Sequence, residues 1–140
     1  MRIEDTQIVK AAREEVFEKW TDCEAWPTWL PVFTCVDVTQ RAGNVVRLSV
    51  DMKVKGLTLK RTETHVLTPP EKVEVEGAIR GVTNTTLWTF QEVPDGTRVS
   101  AVVDGDVSPW LKPLEPLIRS QLRTALRDSL DAFAEYVERP

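Results

Sequence analysis

In the stretch "LTLKRTETHVL", residues 57–67, a cation, a carboxylate and an imidazole occupy alternate positions: Arg61, Glu63 and His65. Alternate residues of a strand share one face. These three share theirs with Leu57, Leu59 and Leu67, so a strand that keeps register points all three polar groups inward. Buried charge is costly unless paired, so Arg61 and Glu63 must then satisfy each other or a polar ligand group. A β-bulge is the alternative; it would flip the register and leave both in water. The chemistry such a set offers is proton abstraction next to a carbonyl, with His65 or Glu63 as base and Arg61 holding the developing oxyanion.

Other chemistries find little material. His65 is the one histidine, and Cys23 and Cys35, the two cysteines, are not in CxxC spacing, so neither a metal site nor a cofactor is expected. Both thiols are expected reduced, packed as small apolar groups. There is no Ser-His-Asp set, phosphate loop or dinucleotide fingerprint. A net charge of −4 argues against a general polyanion binder, and nucleic acid is not an expected partner. No apolar run approaches the roughly 20 residues of a membrane span, and no signal-like segment opens the sequence. The chain reads as one cytoplasmic domain over residues 1–140, a monomer or weak homodimer.

The elements that must position the charged strand follow from periodicity. Residues 3–10 read as a first strand. "AAREEVFEKWTD" places Val16, Phe17 and Trp20 on one helical face. Asp22 reads as the N-cap of a second short helix with Pro27 in its first turns, and Pro31 ends it. From residue 34 the period becomes two. In "NVVRLSVDMKVKG", Val46, Leu48, Val50, Met52 and Val54 face one way, and Arg47, Ser49, Asp51, Lys53 and Lys55 the other. That is the pattern of an antiparallel sheet covered on one face. "KVEVEGAI" and "TRVSAVVDGDV" keep the rhythm, with turns at "RAGN", "VKGL", "TPPE" and "VPDGT". Small inward residues, Gly77, Ala101 and Gly105, leave room for curvature or a cavity.

After Pro109, apolar residues from Leu111 to Val137 recur at three- and four-residue steps. They describe a long amphipathic helix, regular from about Pro113 or Pro116, whose apolar face must be buried. Arg119, Arg123 and Arg127 form a basic stripe along it, read as a solvated face supported by Glu115. The connector "CEAWPTWLPVFTC" holds Trp26, Trp29 and Phe33 between two cysteines, too irregular for a core helix and too rich in proline for a central strand.

The order strand, two short helices, six strands, long C-terminal helix resembles the START-related SRPBCC superfamily. "AAREEVFEKWTDCEAWPTWLP", "TPPEKVEVEG", "LWTF" followed by "VPDGTRV", and the closing helix carry the likeness across the whole chain. It is most similar to polyketide cyclase/dehydrase-type and coenzyme-Q-binding-type lipid-transport proteins. The resemblance implies an α+β helix-grip fold: a curved antiparallel sheet of about seven strands around the C-terminal helix, enclosing an apolar cavity. It implies a hydrophobic or amphipathic small-molecule partner, a lipid, isoprenoid or aromatic polyketide. Trp26, Trp29, Leu30 and Phe33 would lie at the cavity mouth, or equally close the end of the core. Val50, Met52, Leu59, Trp88, Phe90, Val103, Leu114 and Ile118 would supply the wall, with Arg61 and His65 as polar groups. Asn84 and Thr86 share the face of Trp88 and offer further hydrogen bonds. Two alternatives stand beside a carrier. One is a cyclase or dehydratase using His65 and Glu63, although Tyr136, near the end of the last helix, is no candidate for the tyrosine donor of some family cyclases. The other, from a likeness of "VKG", "TPPE" and the helix that follows to actinobacterial toxin–antitoxin members, is a toxin acting on a macromolecule through the arginine stripe.

Overall fold

The computed structural model describes residues 1–54 and 56–139, and Val54 by its backbone alone. Strand β1 (Arg2–Val9) leads into α1 (Arg13–Thr21), a 3-10 turn (Cys23–Ala25) and the single-turn α2 (Trp26–Trp29). Six strands follow: β2 (Phe33–Ala42), β3 (Val45–Val54), β4 (Leu57–Thr68), β5 (Lys72–Ile79), β6 (Val82–Val93) and β7 (Gly96–Val107). A 3-10 segment (Pro109–Leu114) then opens the long α3 (Glu115–Glu138). All seven strands form one antiparallel sheet in the order β1-β7-β6-β5-β4-β3-β2. This is the helix-grip architecture that the resemblance implies, built from the antiparallel strands and the closing helix that the periodicity predicts.

The alternation sets the register. One inward row crosses the sheet through Leu48, Glu63, Gly77, Asn84 and Gly105, and the next through Val46, His65, Val75, Thr86 and Val103. No bulge interrupts the β3–β4 pairing, so Arg61, Glu63 and His65 point inward. The last members of the β3 alternation, the side chain of Val54 and Lys55 in the "VKGL" turn, lie outside the described residues.

The core is the concave face of the sheet packed on α1 and the C-terminal half of α3. Val16, Phe17 and Trp20 come from α1, and Leu126, Leu130, Phe133, Ala134 and Val137 from α3. Arg127 bridges Asp5 of β1 and Asp131 at 2.8 Å each, tying that half of the helix to the sheet edge. Arg127 therefore leaves the solvated stripe, while Arg119 pairs with Glu115 at 3.8 Å as its spacing suggests.

Three local expectations are corrected. The apolar periodicity of the last helix predicts burial along its length, yet Leu114 is 50% exposed and Ala125 is exposed as well. The N-terminal half of α3 projects beyond the packed core, and periodicity cannot report how much of a helix has a partner. Asp22 precedes the 3-10 turn without a side-chain cap bond and instead closes α1, its backbone N–H donating to the Glu18 carbonyl. Cys23 is buried, but Cys35 is exposed, on the outward parity of the edge strand β2.

Candidate functional site

The site grows from the inward charges of β4. The Arg61 Nε donates to Glu63 Oε2 at 2.7 Å, and its Nη2 donates to Asn84 Oδ1 at 2.6 Å, two strands away. To get there the guanidinium crosses β5 at Gly77. A Cβ built on Gly77 would collide with Arg61 Nη2, so only glycine leaves this path open. His65 Nε2 lies 2.7 Å from the other carboxylate oxygen, Glu63 Oε1. Arg61 and Glu63 side chains are only 11% and 9% exposed, so this is an interior network in which both Glu63 oxygens are engaged.

Burial by itself would raise the Glu63 carboxyl. The His65 hydrogen bond, the Arg61 charge and the remaining contacts with both residues outweigh it and hold the group below the usual carboxylate range. An ionised carboxylate only accepts hydrogen bonds, so the proton on His65 must sit on Nε2. The imidazole packs beside the Trp20 and Trp26 rings, each centroid 5.6 Å away, while the two indoles meet edge to face at 5.4 Å. The Trp26 indole N–H donates to the Trp20 backbone carbonyl at 2.9 Å, fixing the Trp26 ring against the end of α1.

In front of this network lies a cavity of about 160 Å³ between the sheet, α2 and α3. Trp20, Trp26, Trp29, Leu30, Phe33 and Trp88 supply its apolar wall with Val75 and Phe133, and Arg61, Glu63, Thr86 and Ser129 its polar groups. A broader, shallower groove of about 690 Å³ runs over the convex face along Ser49, Thr62, Thr64, Thr83 and Thr85. It is wide open to water and has no aromatic side chain among its lining residues, so the smaller, aromatic cavity is the candidate site.

The structure thus brings Trp26, Trp29, Leu30, Phe33, Arg61 and Trp88 together around one space. His65 stands behind the wall, and Phe90 lies deeper, against Phe17 and Trp20. Val50 and Val103 are buried in the sheet away from the cavity, and Met52 and Leu59 pair with each other further along β3 and β4. Leu114 and Ile118 sit at the N-terminal end of α3, outside the lining. Trp20, Val75, Ser129 and Phe133 are lining residues that the sequence reading did not single out. Helical periodicity marks Trp20 and Phe133 as core, and nothing in it separates a core ring from one that borders a cavity.

This combination of helix-grip sheet, aromatic cavity and inward polar strand accords with comparison to known proteins. Residues 1–138 match the family described as polyketide cyclase/dehydrase and lipid transport. The chain belongs to that family. It is therefore an SRPBCC helix-grip protein, of a kind that fits a small hydrophobic ligand. Its fold is shared with the Zhui aromatase/cyclase from Streptomyces sp. R1128, at TM-score 0.89 and 15% identity, covering 99% of this chain and 94% of that one. The TTHA0849 protein from Thermus thermophilus superposes at TM-score 0.87 with 16% identity, covering 98% and 97%. A START superfamily protein from Mycobacterium smegmatis gives TM-score 0.74 and 18% identity, covering 97% and 98%. At these identities the likeness establishes fold and not activity. No curated protein matches the chain. Among the described residues, no helix is long and apolar enough to cross a membrane.

Proposed function

We propose that this family member binds a hydrophobic small molecule in the cavity between the sheet, α2 and α3, and holds it without turning it over. The observation that carries this reading is the aromatic cavity with one polar wall. Apolar ligand surface entering it leaves water at roughly 25 cal/mol per Å² of area buried, while Arg61, Thr86 and Ser129 offer orientation.

The same geometry weighs against the cyclase alternative. A base must reach the ligand with a free lone pair at a pKa suited to accepting a proton. Glu63 borders the cavity, but each of its oxygens already accepts a hydrogen bond and its carboxyl is held below the usual carboxylate range, away from that of a base. His65 donates its Nε2–H to Glu63, and its ring packs against Trp20 and Trp26, outside the cavity lining. The arginine stripe, the feature behind the toxin alternative, is partly consumed by Asp5, Asp131 and Glu115.

Native mass spectrometry of protein purified from its source tests the proposal. A co-purifying apolar compound at one per chain, displaced by an added apolar fluorophore, is the expected result. Binding that persists unchanged when Trp88 is replaced by alanine in folded protein would move the site elsewhere.

A further inference from the structure

Trp29 is 8% exposed, and its buried indole Nε1 has no hydrogen-bond partner among the described residues. Buried donors are almost always paired, because an unpaired one forfeits the hydrogen bonds it made to water. Trp26, from the same turn of helix, shows the ordinary solution, donating to the Trp20 carbonyl. Trp29 does not take it. Tyr136 stacks against its face, with ring centroids 5.6 Å apart at 18°, and a stacked neighbour cannot receive an in-plane N–H. The residue borders the cavity, as does Arg61, which spends Nε on Glu63 and Nη2 on Asn84 and keeps further N–H groups. Glu63, the carboxylate on that wall, has both oxygens engaged. The cavity thus has hydrogen-bond donors to spare, set among flat aromatic walls.

We propose that Trp29 is the specificity-determining donor of the cavity: its indole N–H donates to the carbonyl oxygen of a small planar ring ketone whose hydrocarbon body lies among Trp26, Phe33 and Trp88. The inference rests on the binding role proposed above and adds to it the chemistry of the ligand. At about 160 Å³ the cavity suits one aromatic ring with a small appendage, since an apolar cavity of about 150 Å³ holds benzene. A ring hydrocarbon lacking the oxygen would fill the same space and leave the N–H unpaired. The site therefore discriminates by hydrogen bonding more than by size.

The matched probes 1-indanone and indane, which share a carbon skeleton and differ by the carbonyl, test this by calorimetry on the full chain. The native protein is expected to bind 1-indanone more tightly than indane. Trp29→Phe keeps a ring against Phe133 and Tyr136 but removes the donor. It is expected to weaken 1-indanone about tenfold more than indane, reversing the order. A second readout needs no variant: in protein labelled with 15N at the indoles, one buried indole proton should move downfield with the ketone and not with the hydrocarbon. If both probes bind and Trp29→Phe weakens them equally, with no indole proton responding to the ketone, Trp29 is a wall and the proposal falls while the cavity reading survives. If neither probe binds, both fall.

Discussion

The Arg61 guanidinium lies directly over Gly77, in the space a Cβ would take, and reaches Asn84 on the far side of β5. A single missing methyl group thereby joins β4 to β6 through a side chain, across a strand that the backbone ladder already links to both. The collision a Cβ would cause is with the far end of a flexible side chain, so Gly77→Ala is expected to fold and to expel the guanidinium. It should cost about 1–3 kcal/mol in urea denaturation, and adding Asn84→Ala should then cost little more. Additive losses would mean that the two residues act independently.

The Arg61–Glu63 pair is expected to behave as a unit. Arg61→Met alone leaves a buried carboxylate short of its main cation and should cost about 3–5 kcal/mol. Combining Arg61→Met with Glu63→Gln should recover part of that loss. A double variant less stable than either single one would remove the pairing argument.

Acidification reads the same carboxylate. Glu63 is held below its reference value of 4.5, so its ionised form stabilises the fold above that value and loses this effect as pH falls through the lower folded-state value. The stability advantage of the native protein over Glu63→Gln should therefore shrink below about pH 4.5 in a denaturation series. An advantage that stays constant or grows on acidification contradicts the network as drawn.

The two ends of α3 should respond oppositely to truncation. Leu130 is fully buried, and Leu130→Ala is expected to cost about 2–5 kcal/mol. Leu117→Ala, on the projecting half, should stay within about 0.5 kcal/mol. Equal losses would show that the N-terminal half is packed in solution.

Thiol labelling separates the cysteines. Cys35 is exposed and should react with iodoacetamide in native protein, whereas burial shields Cys23 and raises its thiol pKa. Labelling of Cys23 should appear only with denaturant, and mass spectrometry of peptides reads both sites.

Period-two alternation in β3, β5 and β7, proline and glycine turns and a long apolar helical stripe carried the architecture in the sequence. Each is a local pattern with one physical solution, because shifting a strand by one residue would turn its whole apolar set to water. The same rule offered the inward face of Arg61, Glu63 and His65 as one of two readings, which the unbroken β3–β4 register decided, and the aromatic connector marked Trp26, Trp29 and Phe33 as a group. What the rings and charges do there was settled by tertiary contact. Whether Arg61 meets Asn84, whether His65 faces the cavity or backs it, and whether Trp29 finds a partner all depend on strands and helices far apart in the chain. Leu114 and Leu130 carry the same helical signal, yet only Leu130 is covered. Periodicity states which face of an element is apolar; the surface that meets that face exists only once the chain has closed on itself.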